Sequence, residues 1–344
     1  MSEESTKATM WESTNCCVCL TNEPRQFLHS IEMLSQPRVE YRLAKCTECG
    51  HVYLNPRPDL SSIGFFYPSD YGPHQEVPQG CVQAKTTNSN QSKNALFEGL
   101  NLVRWLGRLD GLRRLHRWLL DSKSTVIPVL DIANPRALEI GCGAGRFLDL
   151  LREAGWETHG IEPADIPAER CRYRGLRVTT GSIENVAVPK NFFNAVFAWM
   201  VLEHVHEPRT TLQKIAESLC IDGRLLISVP NFGCWEPKIF GRYWYGFQLV
   251  HLNYFTIGEL DRMLRAEGMC IEKVFFQTSV RNLIGSLGLF VRERLRLRVL
   301  GDWLVQCAAD MSMWSQLAFS PLAKILSWLG QSGRITIQAR KMAT

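Results

Sequence analysis

Residues 138–147 read LEIGCGAGRF, an apolar run that breaks into glycine at Gly141, Gly143 and Gly145. A buried strand that turns on glycine and continues as an amphipathic helix commits the chain to a strand–turn–helix unit. Glycine has no Cβ, so backbone N–H groups there can approach a ligand, and the following helix turns its positive end toward it. The spacing G-x-G-x-G differs from the G-x-G-x-x-G of dinucleotide-binding folds, although an NAD-binding domain remains the alternative.

Strand-like and helix-like stretches alternate along the chain, with no internal sequence repeat. Residues 137–140, 157–161, 176–180, 195–201, 225–229, 271–276 and 334–341 are short apolar or β-branched runs. Residues 145–155, 166–174, 208–219 and 257–267 between them have helical periodicity. This predicts an α/β fold with a doubly wound, seven-stranded Rossmann-like sheet whose last strand is antiparallel. In such sheets ligands sit outside the carboxyl ends of the strands.

Two acidic residues narrow the ligand. Glu139 stands two residues before the first glycine, where a carboxylate suits an ammonium or hydroxyl better than a phosphate. Glu162 ends the next strand, where it can accept hydrogen bonds from two ribose hydroxyls. A cationic nucleoside without phosphate fits both, and S-adenosylmethionine has that description.

The ordered motifs EIGCGAGRF, GIEP, FFNAVFAWMVLEHVHEP and GRLLISVPN resemble those of class I S-adenosylmethionine-dependent methyltransferases, over roughly residues 135–277. The resemblance implies that Gly141, Gly143 and Gly145 line the amino-acid part of the donor, with Glu139 nearby. It implies that Glu162 holds the ribose, and Ser182 and Ile183 the adenine. Family members usually read Gly-Asp where this chain has Gly181-Ser182-Ile183, and Asp where it has Asn194.

His204, just past the fourth strand, and His251, in the segment that covers the acceptor in relatives, are the catalytic candidates. An imidazole there either takes the acceptor's proton or shapes the site. Relatives often read Pro-Arg-His where this chain has Leu249-Val250-His251, which removes a cation suited to an anionic acceptor.

Cys16-x-x-Cys19 and Cys46-x-x-Cys49 form two thiolate turns, the pattern of a four-cysteine structural zinc site; a closed site of that kind has no catalytic position. CTECGHVYLNPRP followed by FFYPSDYG resembles the zinc-binding module that precedes the methyltransferase domain in many bacterial enzymes. Some of those are sugar C-methyltransferases; others belong to polysaccharide or lipid biosynthesis. In that setting Tyr67 and Tyr71 either reach the acceptor pocket or pack.

The expected organisation is a zinc-binding module at 12–60, a flexible linker at 61–94 and a basic amphipathic helix at 95–125. The methyltransferase domain follows at 126–344, with a helical insertion at 280–330 before the last strand. The insertion carries Arg292, Arg294, Arg296 and Arg298 beside a stretch rich in Trp, Leu and Met. Two readings are open: a cap over the acceptor or a dimer contact, which is preferred, and a peripheral membrane contact with the arginines on anionic headgroups.

A net charge of +5 is too mild to indicate nucleic acid, and the zinc segment has no concentrated basic patch. The polar start and the lack of a long uncharged apolar run point to the cytoplasm, where twelve cysteines read as thiols and metal ligands. The expected function is methyl transfer from S-adenosylmethionine to a small-molecule or glycan-type acceptor, free or lipid-linked. The alternatives are an RNA base methyltransferase and a non-catalytic donor-binding or zinc scaffold, for which Ser182 is the supporting feature. The oligomeric state is not legible.

Overall fold

The computed structural model describes residues 9–35, 37–67, 126–311 and 313–343. The expected helix at 95–125, most of the expected linker, and Tyr71 lie outside the described residues.

The N-terminal part contains β1 (Trp11–Glu12), β2 (Pro24–Ile31), β3 (Glu40–Cys46), β4 (Val52–Leu54) and β5 (Arg57–Pro58). The domain that follows runs β6 (Arg136–Ile140), α1 (Arg146–Glu153), β7 (Glu157–Glu162), α2 (Asp165–Tyr173), β8 (Arg177–Thr180), β9 (Phe193–Trp199), α3 (Pro208–Ser218) and β10 (Leu219–Pro230). Then come α4 (Glu236–Phe240), β11 (Asn253–Tyr254), α5 (Ile257–Ala266) and β12 (Met269–Phe276). Three inserted helices, α6 (Arg281–Glu293), α7 (Arg298–Ala309) and α8 (Met313–Trp328), precede β13 (Arg334–Lys341).

The main sheet has the order β12-β13-β10-β9-β6-β7-β8, with β13 antiparallel to both its neighbours. The chain leaves β6 toward β7 and β8, then returns to build β9 and β10 on the other side. The switch point therefore falls between β6 and β9, directly beyond which the glycine turn emerges. Ala195 to Ala198 of β9 are buried on both faces, as a central parallel strand requires. Local signals set the helix starts: α3 opens on Pro208, and α5 on a capping box between Thr256 and Glu259.

The second sheet has the order β11-β4-β3-β2, so a strand from the C-terminal domain completes the N-terminal sheet. Asn253 pairs with Tyr53 and Tyr254 with Val52. Cys16, Val18 and Cys46 share one buried apolar cluster with Leu138, Ile227 and Phe255. Arg209 of α3 donates to Cys17 O and Val18 O at 2.9 Å each. Arg57 donates to His206 O at 2.7 Å. The cysteine turns are thus docked on the loop between β9 and α3.

In the insertion, α6 and α7 approach closely because Gly288 and Gly301 face each other's backbones. A Cβ on Gly301 would lie 2.6 Å from Arg292 N. Ala323 and Leu326 of α8 pack on Val280, so the insertion closes over the sheet edge. The membrane-contact alternative groups four arginines, but Arg292 does not face outward with the other three. Its Nη2 donates to Met33 O at 2.6 Å, and Nε and Nη1 meet Glu293 at 2.9 Å and Asp302 at 3.2 Å. Apolar packing at Gly301 pins the Arg292 backbone, and these partners draw the guanidinium inward. Arg294, Arg296 and Arg298 remain exposed. Among the described residues no helix is long and apolar enough to cross a membrane.

Candidate active site

The donor cradle is built from the ends of β6 and β7. Gly141 N and Cys142 N donate to Ile161 O at 2.8 and 3.2 Å, folding the turn back over β7. Gly141, at φ +66°, has no room for a side chain, since a Cβ would meet Val201 Cγ2 at 2.8 Å. Gly145, at φ +74°, is the helix N-cap and is equally confined, by Leu176, Cys171 and Arg174. The turn is therefore open to close approach from the ligand side while packed from below.

Glu162 is buried and accepts from Gly143 N at 2.7 Å and Ala164 N at 2.9 Å. Glu139 is also buried, and its Oε2 has no hydrogen-bond partner among the described residues. Burial, then the neighbouring Cys171 and Glu162, raise its pKa well above the ordinary carboxylate range. An unpaired buried carboxyl oxygen beside a glycine cradle fits a ligand with a donor group, such as an ammonium. Ile183, almost fully buried, and Ser182 follow β8 at the same edge of the sheet.

The acceptor side is a cleft of about 590 Å³ between that edge and the inserted helices. Met200, His204, Gln248, His251 and Arg281 are among its lining residues. Met200 sits in the left-handed region at φ +56°, an unusual conformation for a residue with a side chain, and it directs the chain from β9 into the loop. The structure brings the two predicted histidines together, with ring centroids 4.7 Å apart at 78°. His204 Nδ1–H donates to Val250 O at 2.9 Å, and His251 Nδ1–H donates to Gly246 O at 2.8 Å. Both imidazoles thus present Nε2 as the remaining ring nitrogen. Burial pushes His204 down to about 3, with His251 adding to the effect, and pushes His251 down to about 4. Both are neutral near pH 7, and both are weak proton acceptors.

Of two further residues at this site, the sequence left one open and did not single out the other. Tyr67, one of the tyrosines left open between pocket and packing, brings its hydroxyl to 3.1 Å from His204 Nδ1. Glu203, beside His204, is fully buried, and burial lifts its pKa to about 8. An acidic residue in an otherwise apolar stretch, Val201-Leu202-Glu203, was the available signal.

At the other site, Cys16, Cys19, Cys46 and Cys49 bring their sulfurs within 4.8 Å of one another. Cys16 and Cys49 approach to 3.4 Å, as do Cys19 and Cys46. Four converging thiols, two of them buried, fit a tetrahedral soft-metal site. Cys17 stays outside it and meets His51 Nε2 at 3.4 Å and Asn253 Oδ1 at 3.3 Å.

Strand order and switch-point glycine turn define a seven-stranded Rossmann-like fold of the methyltransferase type. Residues 112–274, just under half of the chain, match the family model of a methyltransferase domain. The ubiquinone biosynthesis O-methyltransferase of Xanthomonas oryzae pv. oryzae is 29% identical over 157 residues, 44% of this chain and 65% of that protein. The ubiquinone biosynthesis O-methyltransferase of Marinobacter nauticus is 27% identical over 164 residues, 44% of this chain and 66% of that protein. The chain thus spans just under two thirds of the length of these curated relatives. An S-adenosylmethionine-dependent methyltransferase from Mesorhizobium loti aligns at a TM-score of 0.42 with 14% identity, over 66% of this chain and 96% of that one.

Proposed function

We propose that this chain transfers a methyl group from S-adenosylmethionine to a hydroxyl oxygen of a small-molecule or glycan-type acceptor bound in the cleft. The observation that carries this reading is the contact between the two halves of the site. Gly141 of the donor turn packs against Val201, two residues before Glu203 and three before His204 on the cleft floor. A donor held on the glycine turn therefore meets an acceptor held over the histidines.

In this reading Glu162 holds the ribose, Glu139 faces the methionine amino group, and Ser182 and Ile183 contact the adenine. The hydroxyl oxygen would attack the methyl carbon as its O–H bond breaks and the proton passes to water, and the electron pair of the breaking carbon–sulfur bond would stay on sulfur. The chain contributes chiefly by alignment, which by itself accounts for many kcal/mol of a bimolecular barrier. His204 and His251 orient the acceptor through Nε2, Gln248 supplies a polar contact at the wall, and Tyr67 braces His204 from behind. The polar groups among the mixed lining, His204, Gln248, His251 and Arg281, support an acceptor with polar groups, and the names of the O-methyltransferase relatives support oxygen as the atom methylated. Zinc held by Cys16, Cys19, Cys46 and Cys49 is structural: it fixes the docked turns and leaves no position for a substrate.

Calorimetry with S-adenosylmethionine, followed by transfer of labelled methyl to extracted metabolites before and after nuclease treatment, tests the reading. We expect donor binding and nuclease-resistant label in a small product. Absence of donor binding would leave a scaffold, and nuclease-sensitive label would leave an RNA methyltransferase.

A further inference from the structure

The cleft floor holds more than two histidines. Glu203, His204 and His251 each offer one ligand atom, and those atoms lie within 4.8 Å of one another. The three come from two separate segments: the loop after β9, and the covering segment before β11. The covering segment is tied to that loop where Leu252 N and Asn253 N both donate to Glu203 O, at 2.7 and 3.1 Å.

Two independent features point to a missing ligand. First, Glu203 is fully buried, and neither of its carboxyl oxygens has a hydrogen-bond partner among the described residues. Arg334 is near enough to interact with its charge, but Arg334 Nε donates to Ser228 Oγ at 2.8 Å instead. A buried carboxyl with both oxygens unpaired is costly and calls for an explanation. Second, each histidine commits Nδ1–H to a backbone carbonyl, Val250 O or Gly246 O, which fixes the tautomer with the lone pair on Nε2. Metal-bound imidazoles are held this way, the second nitrogen donating to a carbonyl or carboxylate behind the ring.

We infer that Glu203, His204 and His251 form a divalent-cation site that opens on the cleft and takes the acceptor through its reacting hydroxyl and a neighbouring oxygen. Two imidazoles and one carboxylate suit a borderline first-row cation, and three protein ligands leave positions open for oxygen donors. His204 and His251 both line the cleft, so those positions are on the acceptor side. The acceptor class is then a molecule with adjacent oxygens, such as a vicinal diol, a hydroxyketone or a catechol.

The substrate part of this inference rests on the proposed methyl transfer. It supplies what that reading lacks, a positive charge beside the acceptor hydroxyl. Next to a divalent cation a hydroxyl loses its proton to water more readily. The O–H bond breaks, the oxygen pair forms the new bond to the methyl carbon, and the pair of the broken carbon–sulfur bond returns to sulfur.

The test uses the full chain with its cysteine site loaded with zinc and Mn2+ as the probe, because four thiolates select zinc over Mn2+. Loss of the free Mn2+ electron paramagnetic resonance signal reports binding. We expect one Mn2+ per chain, weakened by more than about tenfold in Glu203→Gln and in His251→Asn, with zinc content and donor binding unchanged. Adding 4-methylcatechol should alter the spectrum of the bound Mn2+ in the wild-type chain. If Glu203→Gln does not fold, His251→Asn carries the comparison. No Mn2+ uptake at millimolar concentration, or uptake indifferent to both substitutions, overturns the site. Bound Mn2+ that ignores the catechol overturns the acceptor class. Donor binding without Mn2+ uptake would sink the cation site alone. Mn2+ uptake without donor binding would sink the methyl-transfer reading and leave the site standing.

Discussion

Glu162 accepts the backbone N–H of Gly143 at 2.7 Å, joining the end of β7 to the middle of the glycine turn. Its other oxygen accepts from Ala164 N at 2.9 Å, so one buried carboxylate positions the turn and the start of α2 while facing the expected ribose. Glu162→Ala removes a charge-assisted anchor and both of these contacts. We expect donor affinity to fall by about 1.5–3 kcal/mol, roughly tenfold to more than a hundredfold, by calorimetry. Wild-type affinity in that variant would show that the ribose is held elsewhere.

The cysteine site should hold one zinc per chain, and Cys46→Ser together with Cys49→Ser should remove it. Arg209 grips Cys17 O and Val18 O from the first turn of α3, so loosening the turns also releases the loop that carries Glu203 and His204. The expected result is loss of zinc by elemental analysis, faster proteolysis within residues 12–60 and loss of methyl transfer. Donor binding persists, because the glycine turn rests on β7 instead. Zinc retained in the double variant would move the ligand set to other cysteines.

These two sites differ in how far they could be read from sequence. The main-sheet strands were legible because each is a short buried run bounded by a turn, and β13 falls at 334–341 as its β-branched run predicts. The donor turn was legible because its glycines carry the conformational requirement themselves. The pairing of Asn253 with Tyr53 was not, since two residues show no periodicity and their partner lies two hundred residues away. Arg292 looked like one of four equivalent arginines, and only Met33 O and Asp302, brought to it by tertiary packing, set it apart. Glu203 was passed over for the same reason: its isolation becomes visible only when the surrounding segments close on it.

Glu236 accepts a hydrogen bond from the indole of Trp244 at 3.1 Å, and both residues are buried where α4 leads into the covering segment. Burial raises the Glu236 carboxyl to about 7, against 4.5 in the unfolded chain, so the folded state holds the proton more tightly. The stability this contributes is fully present below pH 4.5 and is lost as pH rises through 7. Glu236→Gln stays neutral while its amide oxygen still accepts from Trp244. We expect it to match the wild type near pH 4 and to exceed it by about 1–3 kcal/mol near pH 8 in urea unfolding. Parallel wild-type and variant curves across that range would mean that Glu236 is ionised in the folded protein.

The seam between α6 and α7 gives the last prediction, because it separates Arg292 from the arginines beside it. A Cβ on Gly301 would lie 2.5 Å from Arg292 Cβ and 2.7 Å from its Cα, with backbone rather than flexible side chain in the way. Gly301→Ala must therefore push the helices apart, and an overpacked seam of this kind costs about 1–3 kcal/mol despite the better helix propensity of alanine. Arg292→Gln loses the contacts to Met33 O and Asp302, which join the insertion to the N-terminal sheet and to α7. Both variants should unfold at lower temperature than the wild type. The triple variant Arg294→Gln, Arg296→Gln, Arg298→Gln should melt with the wild type, since these three side chains are exposed. Calorimetric melting of the three variants beside the wild type decides it. A triple variant as destabilised as Arg292→Gln would mean that the exposed arginines carry structural contacts of their own, and the distinction drawn at Arg292 would fail.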